Sequence, residues 1–228
     1  MKECEERDKS LHDVRRPTPS PAGNAGYDAR VTAEPALDCT AVILAGGQSR
    51  RFGTDKARYR ARPGGPTLLE RAAEPLQVCT ERLVIGAHEL PGWQAVSDDA
   101  PGFGPLGGLV TALRRATRPK MLVTACDLPN LTRAFWLWLA ELDGELIVPV
   151  GADGRLQPLA AVWPVSALSA LEARLSAHEL SLHSAVRALA GQGVHVFEAP
   201  QNVWAAQFGP DLLLNVNTLD DVSGVHDG

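Results

Sequence analysis

Residues 44–58 read LAGGQSRRFGTDKAR and follow a short apolar run, TAVI, at 40–43. The order is that of a strand, a glycine turn and a crowd of positive charge. A loop leaving the carboxyl end of a parallel strand lies where open α/β sheets hold their ligands. Three glycines, three arginines and one lysine occupy these fifteen positions, so the ligand this loop suits is an anion. Backbone N–H groups approach phosphate oxygens only where no Cβ intervenes, and glycine also tolerates positive φ, which gives Gly46 and Gly47 their use. Arg50, Arg51 and Lys56 supply charge for a polyphosphate, arginine by forked contacts and lysine by a point contact. The loop is not a Walker A motif, because Lys56 stands three residues after Gly53 and precedes Ala57 where Ser or Thr is required. Taken by itself, a glycine turn followed by a solvated basic face is the competing account.

From Thr40 onward, short apolar runs alternate with helix-like segments, which predicts an α/β fold with a mostly parallel sheet and helices on both faces. Strands are expected at 40–45, 82–86, 94–97, 120–126, 145–150 and 158–162, with another near 194–197. Helical patterns fit 67–77, 105–117, 132–141, 165–175 and 181–190. Strand, helix, strand, strand, helix, strand is a Rossmann-like beginning. Residues 1–38 mix charges with PTPSPAGNAG and hold almost no large apolar side chains, so they read as a disordered extension before a single domain over 39–228.

An apolar fraction of 45% and a charged fraction of 21% are ordinary for a globular chain, and a net charge of -5 argues against nucleic acid or an acidic membrane as a general partner. The anion site is therefore local. Cys4, Cys39, Cys79 and Cys126 form no CxxC pair and no zinc-like spacing, which fits a reducing compartment. No apolar stretch approaches the roughly 20 residues that span a bilayer, and no apolar core follows the N-terminal charges. The expected location is the cytoplasm.

Two further stretches carry chemistry. SDDAPGFGPLGGL at 97–109 contains a literal GxGxxG at Gly102, Gly104 and Gly107, but no long strand feeds it and Pro105 sits inside it, so it is not a dinucleotide fingerprint. Pro105 instead suits a helix's first turn. MLVTACDLPNL at 121–131 reads as a strand ending in Asp127. A carboxylate placed there, beside a phosphate loop, suits Mg2+, which takes one or two protein carboxylates and completes its shell with water and phosphate oxygens. A helix cap or Asx-turn is the plain account of the same residue.

Other motifs fail on geometry. His178 and His183 in HELSLH are five residues apart, about 140° of helix rotation, so they cannot share a metal as an i, i+4 pair does. A helical surface is the better account of them, and His88, His195 and His226 show no partner spacing. FWLWL at 135–139 reads as the core face of a helix. Ser49 and Ser97 have no His and Asp arranged to activate either, so no covalent nucleophile is offered.

Together, LAGGQSRRFGTDK, GPLGGL and CDLP resemble the motifs LAGGxSxRMGxDK, GPLGG(L/I) and CDxP of the molybdenum cofactor guanylyltransferase family. The resemblance spans about 40–222. It departs at Phe52, where Met is usual, at Gly86, where Asn often follows the second strand, and at Leu219 in LLLNVNTLDDV, where Pro is usual. It implies a Rossmann-like three-layer αβα nucleotidyltransferase fold, with GTP held by the N-terminal half and the acceptor by the C-terminal half, including GRLQPLAAVWP at 154–164. The residues it implies for GTP are Leu44, Ala45, Gly46, Gly47, Lys56, Asp98, Gly104, Pro105, Leu106, Gly107 and Asp127. Asp99 rivals Asp98 as the guanosine contact, and on sequence either could equally be a helix cap. Arg51, Lys56 and Asp127 are the implied catalytic set, with Asp127 the ligand of Mg2+. Asn215 and Asn217 could orient substrate or cap a turn.

The reaction implied is attack by the phosphate of Mo-molybdopterin on the α-phosphorus of GTP, giving the guanine dinucleotide cofactor and pyrophosphate. Such an acceptor is already an anion, so positioning and charge neutralisation carry the work. Transient partners would be cofactor-synthesis proteins and molybdoenzymes. The alternatives are a cytidylyltransferase for the same cofactor, a sugar-1-phosphate nucleotidyltransferase, and a binding protein without turnover.

Overall fold

A computed structural model describes residues 36–46 and 52–226. The expected extension lies outside these residues except at its end, where the first strand already begins at Leu37. Among these residues, seven strands form one sheet: β1 Leu37–Leu44, β2 Cys79–Ile85, β3 Gln94–Val96, β4 Lys120–Ala125, β5 Leu146–Pro149, β6 Ala160–Pro164 and β7 Val196–Ala199. Their order is β3-β2-β1-β4-β6-β5-β7. Every neighbouring pair is parallel except those made by β6, which runs antiparallel to both β4 and β5.

Among the described residues, six α-helices cover the faces: α1 Leu68–Ala73, α2 Gly104–Arg115, α3 Arg133–Glu141, α4 Leu168–Ser176, α5 Leu182–Gly191 and α6 Gln201–Phe208. β1 shows why both faces need covering. Its Ala41 and Ile43 pack with α1, α3 and α6, whereas Val42 and Leu44 pack with α2, α4 and α5. A strand apolar at every position is stable only between two layers, so the three-layer αβα arrangement follows from the composition of the central strands. FWLWL meets the core as expected, with Phe135, Trp136 and Leu139 fully buried.

Differences from the sequence reading have local causes. The helix expected over 67–77 stops at Ala73 and continues as a tighter 3-10 turn, Glu74–Val78. Pro75 lacks the N–H that an α-helix would direct to the residue four positions earlier. The segment 165–167, expected as the start of a helix, is likewise a 3-10 turn. α6 was not expected: Trp204, Ala205 and Phe208 face the core, but the apolar run 203–206 also places Val203 and Ala206 on the exposed side, so the sequence carries no clear helical period. The Trp204 indole N–H donates to the Val150 carbonyl at 2.9 Å, which fixes the helix against the end of β5.

After β4 the chain turns through Asp127 to Asn130, and the C-terminal segment returns to the same place. Asn130, itself buried, donates to the carbonyls of Asp211 (3.1 Å) and Gly224 (2.9 Å) and accepts from the His226 N–H (3.0 Å). Val216 and Val225 join Phe52 and Leu68 in a small apolar cluster. Thus one amide side chain ties residues 211–226 to the end of the central strand. Replacing Asn130 by Ala removes three hydrogen bonds and strands their partners, which is expected to cost about 2 kcal/mol. The check is thermal unfolding, with the midpoint falling by roughly 4–8 °C for a domain of this size.

Candidate active site

The carboxyl ends of β1, β2 and β4 lie side by side, with Leu44 paired to Ile85 on one flank and to Ala125 on the other. The loops that follow, beginning at Ala45, Gly86 and Cys126, therefore open on one edge of the sheet. The Ala45 N–H donates to the Ile85 carbonyl and the Gly86 N–H to the Val96 carbonyl, both at 2.9 Å. Gly86 has φ +131°, and a Cβ there would lie 3.0 Å from the Gly46 nitrogen. This position needs glycine both for its conformation and for the approach of the 45–46 backbone. Among the described residues, a Cβ on Gly46 would meet nothing within 4 Å. Gly47, Arg50 and Arg51 lie outside the described residues.

The far end of the loop is a 3-10 turn, Lys56–Arg58, capped by Asp55, whose carboxylate accepts the Ala57 N–H at 3.2 Å. Lys56 is 8% exposed. Its ammonium lies 3.6 Å from Asp127 Oδ2 and 5.9 Å from the centre of the Phe52 ring. The phenyl ring that stands where the resemblance has Met therefore lines the lysine, and it packs edge-on against Tyr59 at 5.0 Å. Asp127 Oδ1 is buried and has no hydrogen-bond partner among the described residues. A carboxylate with one oxygen near an ammonium and the other unmatched is built to receive a further cationic or hydrogen-bonding group. Among the described residues, no three His, Cys, Asp or Glu side chains cluster to hold a metal by themselves. Burial, helped by the adjacent Asp127 carboxylate, pushes the Cys126 thiol up to about 12, so it stays protonated and is no nucleophile.

The GPLGG segment begins α2. Gly104 has φ +64°, and the helix has no side-chain cap. Leu106 is wholly buried in the core, so only its backbone can face a ligand. A Cβ on Gly107 would come within 2.7 Å of the Ala100 carbonyl oxygen, so this glycine lets the preceding loop pack on the helix. Asp98 Oδ1 accepts the Ala100 N–H at 2.9 Å and lies 3.1 Å from the buried Thr111 hydroxyl. Asp99 is spent on ion pairs to Arg114 (3.6 Å) and Arg115 (3.1 Å). Of the two rivals, only Asp98 keeps an oxygen clear of basic side chains. Neither aspartate caps α2, whose N-cap is Phe103; the bond from Ala100 to Asp98 is an Asx-type turn in the loop before the helix.

Asn215 and Asn217 are exposed in the C-terminal segment, where the Val216 N–H donates to the Asp127 carbonyl at 2.9 Å. Sequence reasoning missed the residue that shapes this segment. The Asp221 carboxylate accepts from the N–H groups of Asn217 (2.8 Å) and Thr218 (2.7 Å) and from the Thr218 hydroxyl (2.9 Å). These backbone bonds, then the hydroxyl and the charge of Lys56, hold its carboxyl below the ordinary 3.8. The signal was the Thr-x-x-Asp spacing at 218–221, a local capping pattern. His88, dismissed for want of a partner, is a second miss: its Nε2 lies 3.0 and 3.1 Å from the two Asp55 oxygens. His178 sits between α4 and α5 at φ +59°, not on a helical surface. His183 meets the Leu156 carbonyl at 2.9 Å.

A mostly parallel sheet with a glycine after β1, a lysine returning to meet an aspartate after β4, and an uncapped glycine-rich helix start define an open α/β protein with its ligand edge at the carboxyl ends of β1, β2 and β4. The family model for the MobA-like NTP transferase domain matches residues 41–196, and the chain belongs to that family. It is 41% identical over 79% of its length to a probable molybdenum cofactor guanylyltransferase from Chloroflexus aggregans, covering 90% of that protein. It is 35% identical over 79% of its length to the molybdenum cofactor guanylyltransferase of Sinorhizobium fredii, covering 87% of it. The crystal structure of molybdopterin-guanine dinucleotide biosynthesis protein A from Archaeoglobus fulgidus shares the fold, with a TM-score of 0.65 at 20% identity over 81% of this chain and 95% of that one. The chain is thus a nucleotidyltransferase. No helix among the described residues is long and apolar enough to cross a membrane.

The depressed carboxyl of Asp221 gives a pH prediction. Its ionised form favours the folded state, so its contribution is present above the ordinary value of 3.8 and is lost as pH falls through the lowered one. Between about pH 5 and pH 3 the urea midpoint of the wild type should fall more than that of Asp221→Asn, and parallel curves would remove Asp221 from the account.

Proposed function

We propose that this protein transfers GMP from GTP to the phosphate of Mo-molybdopterin, forming the molybdopterin guanine dinucleotide cofactor and releasing pyrophosphate. The observation that carries the reading is the Lys56 ammonium 3.6 Å from Asp127, at the shared edge of β1 and β4, with Asp127 Oδ1 buried and unmatched among the described residues. The names of the relatives supply the nucleotide and the acceptor.

In this reading the backbone of Leu44, Ala45, Gly46 and Gly47 faces the triphosphate. Asp98, Gly104, Pro105, Leu106 and Gly107 line the nucleoside, with Leu106 acting through its main chain. Lys56 and Arg51 oppose the charge that builds on the transferring and leaving oxygens. An oxygen of the acceptor phosphate attacks the α-phosphorus in line, and the bond from that phosphorus to the oxygen bridging the β-phosphate breaks. The acceptor is already ionised, so no side chain need take a proton.

The unmatched Asp127 Oδ1 fits Mg2+, which binds through one or two carboxylates plus substrate phosphates. When bound, the ion neutralises phosphate charge and orients the nucleotide. The acceptor enters from the side of β6, the turn at 150–159 and the segment around Asn215 and Asn217. Handing over a labile pterin implies transient contacts with cofactor-synthesis proteins and molybdoenzymes in the cytoplasm.

The test is release of pyrophosphate from GTP, Mg2+ and Mo-molybdopterin. Asp127→Asn should lose roughly a hundredfold or more in kcat with a much smaller loss in GTP affinity. Lys56→Ala should weaken both binding and turnover. Preference for CTP, or for sugar 1-phosphates as acceptor, would replace the specificity proposed. GTP binding without turnover on any acceptor would leave a binding protein.

A further inference from the structure

The short turn after β2 touches the phosphate loop at both of its ends. Gly86 lies against the backbone of Ala45 and Gly46, where the loop begins. Two residues later, His88 Nε2 sits within 3.1 Å of both oxygens of Asp55, where the loop ends. His88 is largely buried, its side chain 14% exposed, whereas Arg58, the other basic neighbour of Asp55 at 3.4 Å, is 77% exposed. An exposed pair of that kind holds little.

A carboxylate only accepts hydrogen bonds, so Nε2 must carry a proton to bond Asp55. Asp55 in turn caps the turn whose first residue is Lys56. Burial, the largest single influence, would raise the Asp55 carboxyl. The hydrogen bond and charge of His88, with the Ala57 N–H and Arg58, outweigh it and hold the group below its ordinary value. The contacts form a chain: His88 to Asp55, Asp55 to the turn, the turn to Lys56, and Lys56 to Asp127.

We propose that His88 is a positioning residue for Lys56: by clamping Asp55 it fixes the turn that aims the ammonium at the nucleotide phosphates. The inference rests on the reading of Lys56 as a phosphate-binding group. In this inference the effect of His88 passes through Asp55 and one lysine, not through a contact of its own with the nucleotide.

Two amide variants separate this from a merely structural role. The amide nitrogen of His88→Gln reaches the place of Nε2 and can donate to Asp55, whereas that of His88→Asn is too short. Steady-state GMP transfer is measured for both, alone and combined with Lys56→Ala, together with thermal midpoints and KM for Mo-molybdopterin. The expected result is that His88→Asn loses about tenfold in kcat/KM for GTP, equivalent to about 1.4 kcal/mol. KM for the acceptor should stay unchanged, His88→Gln should recover most of the loss, and the effect should shrink below about twofold in the Lys56→Ala background. Wild-type kcat/KM in His88→Asn, equal losses in both amide variants, or a full tenfold loss without Lys56 would each overturn the role. If the wild type shows no transfer, the functional reading fails separately, and the same cycle is read as dissociation constants for GTP with Mg2+, where additive losses overturn the role of His88.

Discussion

The in-register pairing of β1 with β2 on one side and β4 on the other is the constraint on which the site depends. Leu44 is the last residue of β1 and is matched to Ile85 and to Ala125. Parallel strands that end level release their loops at one level. Asp127 and Lys56, 71 positions apart in the chain (127 − 56), meet because of that alignment and not through any local motif. The apolar faces of β1 enforce it, since a slip of one residue would exchange the side chains packed in the two layers.

Much of the arrangement was legible before coordinates. All seven strands fall within a few residues of their expected places; the inner ones, buried on both faces, carry their signal at nearly every position, whereas the edge strands β3 and β7 keep exposed residues and carry less. The helices with a buried stripe, such as α2 and α5, were equally plain. What could not be read was the return of the chain on itself. α6 packs Trp204, Ala205 and Phe208 on the core, yet its apolar residues run unbroken from 203 to 206, so the sequence shows no period there. The antiparallel course of β6 is invisible in its composition, because AAVWP is as apolar as a parallel strand.

The site divides along the same line. Lys56 and Asp127 belong to contiguous motifs that single them out, and the structure brings them together, whereas His88 and Asp221 act through partners that spacing alone does not announce. His88 finds Asp55 across 33 positions. Asp221 works within four residues, yet it stands next to Asp220 in a run that looks like a solvated acidic turn. The glycines carry a related lesson. Gly86 and Gly107 are explained by close approach of neighbouring backbone, while a Cβ on Gly46 would meet none of the described residues within 4 Å.

The docking of residues 211–226 has a consequence for how the protein matures. The Val216 amide bonds the carbonyl of Asp127, Asn130 holds Asp211, Gly224 and His226, and Val225 packs with Phe52. A ribosome releases these residues after the whole sheet has been made. The nascent chain can therefore assemble its layers early, yet the surroundings of Phe52 and Asp127 are completed only when residues 211–226, made after every strand, fold back against them.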